Sequence, residues 1–127
     1  MTILNLEDDI FKHHAICRAV EGGVSGRVQI DRAGNLEDGL RMLAEHEDKG
    51  QPYDLIITDM WYPEKGGGKD TDSGDALIRK LAESGRSIPV ILCSTLSYSY
   101  PEILGTVHYS EREDWETELV RLIGKVR

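Results

Sequence analysis

Four short apolar runs punctuate the chain: "TILNL" (residues 2–6), "RVQI" (27–30), "LIIT" (55–58) and "PVILCS" (89–94). A fifth, weaker run is "GTVHY" (105–109). The first, third and fourth are nearly continuous in apolar residues, which is how a strand covered on both faces of a parallel sheet reads. Between the runs the apolar period lengthens to that of a helix. Residues 11–21 set Ile10, His14, Cys17 and Val20 on one side. Leu36, Leu40, Leu43 and Ala44 follow at i, i+4, i+7 and i+8, behind Asn35 as a predicted N-cap. Leu77, Ile78 and Leu81 mark a third helix, capped near Asp72 or Ser73, and Trp115, Leu119, Leu122 and Ile123 a fourth, capped by Asp114. This alternation predicts βαβ units with right-handed crossovers: five strands, four helices and one α/β domain. Between the last two strands, "TLSYSYPEIL" (95–104) is too short and too aromatic for a full helix, and Pro101 disfavours helix at Tyr100, so a loop or single turn is expected.

In an open parallel sheet, ligands gather at the carboxyl ends of the strands. Strand one ends on Glu7, Asp8 and Asp9, strand three on Asp59, strand four on Ser94 and Thr95, and strand five on Tyr109 and Ser110. Carboxylates brought this close raise one another's pKa or demand a cation. An oxygen-only donor set suits a hard ion, and Mg²⁺ fits a site of few protein ligands. A rigid strand ending on Asp59 therefore holds a carboxylate beside a metal, where it can be ligand and nucleophile together. The plain alternative for the acidic triplet is an N-cap cluster favoured by the helix dipole.

A chain of 127 residues predicts one domain with a core that needs no staples. The net charge of -8, from 15 Lys+Arg and 23 Asp+Glu, speaks against a nucleic-acid partner. Cys17 and Cys93 lie in apolar contexts and are expected to be small buried side chains in a reducing cytosol. Neither a signal peptide nor a membrane-spanning run is expected. "GGGKD" is not a P-loop, because Asp70 follows the Lys. "DTDSGD" imitates a calcium loop for four residues and then places Gly74 where a ligand belongs.

Taken in order, "ILNLEDD", "DLIITDMWYP" and "IPVILCST" resemble the receiver domain of two-component response regulators along the whole chain. The resemblance implies a three-layer, flavodoxin-like α/β domain with strand order 2-1-3-4-5 over residues 1–127 and no separate output domain. It further implies that Asp59 accepts a phosphoryl group from a histidine kinase or phosphotransfer protein. Asp8 would be the main Mg²⁺ ligand, with Glu7 acting through water and the backbone carbonyl of Trp61 completing the set. Ser94 would hydrogen-bond the phosphoryl group and draw its loop inward. Autocatalysis apart, no enzymatic turnover is expected. The implied setting is cytoplasmic, with a downstream protein as target and a homodimer as a further option.

Three features depart from the family pattern. The family carries a Lys at the end of strand five, and here "GTVHYSERE" offers Tyr109 or Ser110, with Tyr109 as the candidate switch residue. The loop after strand three is extended by "EKGGGKDTDS", from which Lys65 or Lys69 is expected to swing in and replace the missing cation. The fourth helix of the family is shortened or absent. Trp61 and Tyr62, like Tyr98, Tyr100 and Ile103, either form an exposed partner patch, or cover the acidic pocket or pack under the long loop. His13 and His14 read as surface or partly buried groups. The alternative functions are a pseudo-receiver, acting without phosphorylation, and a Mg²⁺-dependent phosphatase or nuclease-like enzyme. The last would want a second acid where Trp61 stands.

Overall fold

A computed structural model describes residues 1–126 of the chain. The strands are β1 (Thr2–Leu6), β2 (Gln29–Ala33), β3 (Leu55–Thr58), β4 (Tyr62–Pro63), β5 (Asp70–Thr71), β6 (Val90–Ser94) and β7 (Gly105–His108). The helices are α1 (Ile10–Gly23), α2 (Leu36–Asp48), α3 (Ser73–Glu83) and α4 (Trp115–Ile123). Five strands form one parallel sheet in the order β2-β1-β3-β6-β7, the order the family resemblance implied. Because successive strand residues face opposite sides, neighbours in sequence feed different cores. Leu4, Ile56 and Val90 pack with α2 and α3, whereas Ile3, Leu55, Ile57 and Ile91 pack with α1 and α4. Each face of the sheet is covered by the buried sides of two helices, which is why the central strands read as unbroken apolar runs. No helix among the described residues is long and apolar enough to cross a membrane.

Asn35 caps α2 by accepting from Asp38 N, and Asp114 caps α4 by accepting from Thr117 N. Asp72 precedes α3 without a side-chain cap bond. Asp9 caps α1, its Oδ1 accepting from Phe11 N at 2.9 Å and Lys12 N at 3.3 Å. Asp9→Ala is expected to cost about 1 kcal/mol in a denaturant titration, whereas Asp9→Asn keeps the acceptor and most of the stability.

Three sequence-based expectations are corrected. β2 lies later than residues 27–30, because pairing with β1 runs from Thr2↔Gln29 to Leu6↔Ala33, and an edge strand tolerates the polar Asp31 and Arg32. The buried face of α1 is Lys12, His13, Ile16 and Val20, while Ile10 and His14 face outward. His13 is therefore a buried group, its Nδ1 accepting from Asn5 Nδ2 at 2.9 Å. Cys93 is buried as expected, but Cys17 is only half-buried.

The insertion after β3 is not a free loop. β4 and β5 pair antiparallel, with the glycines at the tip of a small hairpin. Its first arm is tied to α2 by Glu37 N donating to Glu64 O at 2.9 Å. Its base is closed by Ser73 Oγ donating to Tyr62 O at 2.7 Å. Residues 95–104 form no helix, as expected. They are tethered instead by Trp61 Nε1 donating to Tyr98 Oη and by Tyr100 Oη donating to Asp75 on α3.

Candidate functional site

The ends of β1 and β3 are set side by side by the sheet itself. Asp59 N donates to Leu6 O and Glu7 N to Ala33 O, both at 3.0 Å, so the ladder continues one residue past each strand. The carboxylates that follow must then converge. Ligand oxygens of Glu7, Asp8 and Asp59 all lie within 4.8 Å of one another at the carboxyl edge. This is the juxtaposition expected from the three strand-end acids.

Their environments differ. Glu7 is buried, and burial pushes its carboxyl up to about 7, against the opposing pull of Lys12. Its Oε1 has no hydrogen-bond partner of good geometry among the described residues; its compensation is ionic. Asp8 is raised by burial and then by the Asp70 carboxylate, which the hairpin carries to the same edge. Asp59 keeps some solvent access, with its side chain 17% exposed. Its Oδ1 accepts from Met60 N at 2.8 Å, which leaves Oδ2 without a protein partner among the described residues.

The cation in this cup comes from α1. Lys12 Nζ lies 2.8 Å from Glu7 Oε1 and 3.3 Å from Asp59 Oδ1, and donates to Cys93 O at 2.7 Å. Burial alone would depress this ammonium, but Glu7, Cys93 and Asp59 outweigh it and the net direction is upward. Lys65 and Lys69, expected to supply the charge, remain exposed on the hairpin without a contact to Asp59. The hairpin is tied at its first arm through Glu64 O and at its base through Tyr62 O, and it brings Asp70, not a lysine, to the acidic edge. Tyr109 stands beside the site as expected, half-buried, its ring 5.3 Å from Lys12 Nζ and packed on Trp115.

Ser94 is buried at the end of β6, its Oγ in a long 3.4 Å contact with Leu96 N, and Thr95 is exposed. His108 holds this β6 tip. Its Nε2 donates to Thr95 O and its Nδ1 to Glu113 Oε1, both at 2.9 Å. Two acceptors require both ring nitrogens to donate, so Glu113 first and Thr95 second push its pKa up. Trp61 and Tyr62 part company: Trp61 is 46% exposed, while Tyr62 is wholly buried with its hydroxyl on Thr58 Oγ1.

Lys12, Asp70 and His108 escaped the sequence reading. Lys12 did carry a signal. The first turns of α2, α3 and α4 hold acids (Glu37 and Asp38, Asp75, Glu116 and Glu118), whereas α1 has none and places Lys12 there. An ammonium at a helix N-terminus opposes the dipole, so a Lys there needs another reason to be.

A fivefold parallel sheet with four helices, one crossover lacking its helix, and acids at the ends of β1 and β3 can be set against solved structures. The receiver domain of the hybrid histidine kinase CckA matches at a TM-score of 0.67 over 100% of both chains, at 20% identity. This is a receiver-domain fold. The phosphorylated cyanobacterial phytochrome response regulator RcpA matches at 0.69, with 17% identity over 96% of this chain and 87% of its own. The Mn²⁺-bound response regulator Rcp1 matches at 0.66, with 16% identity over 96% and 90%. No family model matches the sequence, and no curated protein is significantly similar to it. Identities this low speak to the receiver fold alone.

With all three ligand carboxylates ionised, they and the one ammonium leave two negative charges, to which Asp70 at the same edge adds, and every metal-facing donor is oxygen. That charge and donor set fit a hard divalent cation such as Mg²⁺.

Proposed function

We propose that this chain is a phosphoryl-accepting receiver, with Asp59 as acceptor and a histidine kinase or phosphotransfer protein as donor. The observation that carries the reading is the convergence of Glu7, Asp8 and a solvent-accessible Asp59 within 4.8 Å at one sheet edge. Metal binding falls to Glu7, Asp8 and Asp59, with the Trp61 carbonyl as a further ligand and Mg²⁺ as the ion. When bound, the ion supplies charge neutralisation to the phosphoryl oxygens. An Asp59 carboxylate oxygen attacks phosphorus as the bond from phosphorus to the donor imidazole nitrogen breaks. The electron pair stays on that nitrogen, which takes up a proton from solvent. Ser94 Oγ–H donates to a phosphoryl oxygen and in doing so leaves Leu96 N, moving the β6 tip that His108 clasps. Tyr109 reads that movement from the neighbouring strand end. The protein turns over no external substrate. It signals from the cytoplasm by contact with a downstream protein, through the unusual surface left by the missing helix and by exposed Trp61 and Leu96.

One observation favours a second reading. Tyr109 stands where the family has its Lys, which suits a pseudo-receiver that docks without phosphorylation. Acetyl phosphate with Mg²⁺ separates the two. Wild-type protein is expected to gain one phosphoryl group by intact mass, with a Trp61 fluorescence change, and Asp59→Ala to show neither. Mg²⁺ binding with no uptake from acetyl phosphate, no response to beryllofluoride and no uptake from phosphorylated kinase would leave the pseudo-receiver reading standing.

A further inference from the structure

We propose that Lys12, delivered from α1, is the cation that holds the phosphoryl group on Asp59, and that Tyr109 at the end of β7 is the wall that aims it. The inference rests on the acceptor reading above and adds a residue from a different element to it.

The argument begins with cost. An ammonium only 5% exposed is tolerated in a protein interior when oxygen partners surround it. Lys12 has three, from three separate segments: Glu7 after β1, Asp59 after β3 and Cys93 within β6. A counter-ion for Glu7 alone would need only the first. Contact with Asp59 Oδ1 puts the charge on the acceptor carboxylate itself, next to the unpartnered Oδ2 at which a P–O bond can form. Contact with Cys93 O puts it next to Ser94, the hydroxyl assigned to the same phosphoryl group. The fourth side of the ammonium is the Tyr109 ring, itself braced by Trp115 at 4.7 Å between centroids. An aromatic face attracts a cation and offers no competing hydrogen-bond acceptor, so it confines Nζ without drawing it from the oxygens. Tyr109 is thus what the end of β7 requires once the positive charge arrives from the opposite helix.

Charge balance supports the role. With a divalent ion bound in place of the Glu7 proton, the three ligand carboxylates and Lys12 sum to zero, and Asp70 at the same edge adds equally before and after phosphorylation. Phosphorylation replaces the Asp59 carboxylate by a dianionic phosphoryl group, leaving one excess negative charge with Lys12 present and two without it. The charged state that Lys12 favours most is therefore the phosphorylated one, which is what differential stabilisation requires.

Four proteins test this: wild type, Lys12→Met, Tyr109→Lys, and the double variant Lys12→Met/Tyr109→Lys. Mg²⁺ affinity without donor, beryllofluoride affinity and the acetyl phosphate labelling rate are measured on each. Lys12→Met is expected to bind Mg²⁺ at least as tightly as wild type, because a competing cation has left the carboxylates. It is expected to label roughly 100-fold more slowly and to bind beryllofluoride correspondingly less well. The double variant, which returns a lysine from β7, is expected to recover most of that loss. Labelling of Lys12→Met within about threefold of wild type would overturn the inference, since a lost transition-state contact costs far more. So would joint loss of Mg²⁺ binding and labelling that the double variant does not restore, which is the mark of a structural ion pair. A wild-type protein that binds Mg²⁺ yet takes neither phosphoryl nor beryllofluoride would defeat the acceptor reading itself, and this inference with it.

Discussion

Gly74→Ala is expected to destabilise the protein by about 3 kcal/mol and to weaken Mg²⁺ binding in the same variant. Gly74 is the second residue of α3, and its N–H donates to Met60 O at 2.9 Å. A methyl group there would fall on the carbonyl oxygen of Asp59 and lie 2.8 Å from Met60 Cα. Both obstacles are backbone, so no rotamer change relieves them. The relief must come from sliding α3 away or pushing the end of β3, and the second displaces the acceptor carboxylate. Thermal unfolding and a Mg²⁺ titration on one sample read the two effects together. Gly22→Ala is the control. It sits near the end of α1 with nothing within 4 Å of a built Cβ, and is expected to be neutral or to stabilise by up to about 1 kcal/mol. A Gly74→Ala protein with wild-type stability and Mg²⁺ affinity would show that the α3–β3 contact yields at little cost.

The second large effect concerns Glu7→Gln and depends on pH. Burial raises Glu7 from the usual 4.5 to about 7, so the folded protein favours its protonated form. The stabilisation belonging to that form is complete below about 4.5 and is lost as pH rises towards 7. In metal-free buffer the wild type should therefore lose stability relative to Glu7→Gln across that interval. A shift of this size, which already includes the opposing pull of Lys12, corresponds to a change of about 3 kcal/mol in the stability difference across the interval. Saturating Mg²⁺ should reverse the order above pH 7, because only the carboxylate can bind the ion. The same linkage makes Mg²⁺ affinity fall as the solution is acidified below about 7, since proton and metal compete for one group. Unfolding titrations at several pH values, with and without Mg²⁺, check each sign. Parallel stability curves for the two proteins would mean that Glu7 is not ionised against its environment.

The strand ends repay closer comparison. "LIIT" followed by Asp59 and "TILNL" followed by Glu7 and Asp8 were legible because burial on both faces writes an apolar run. A parallel sheet then places the next residues at one edge. The helix caps at Asn35 and Asp114 were legible for a local reason: an unpaired N–H needs an acceptor within three residues. The insertion and the 95–104 segment were legible as departures but not as structures. Glycines and aromatics announce a change of conformation without fixing its partners. Glu64 on α2, Tyr98 on Trp61 and Tyr100 on Asp75 are pairings across long stretches of chain.

By itself, then, the sequence determined the layers and the meeting of Glu7, Asp8 and Asp59 at one sheet edge, because periodicity and strand termination are local properties that the sheet converts into position; the strand order came from the family resemblance of its motifs. Only the tertiary structure decided which cation sits among them. Amphipathic spacing turned the wrong side of α1 inward, since it weighs a residue by its own polarity. Whether Lys12 is buried depends on oxygens supplied by other elements, the Cys93 carbonyl lying 81 residues away along the chain. A charged side chain enters a core when distant partners meet it there, and that balance is written only once the chain has folded.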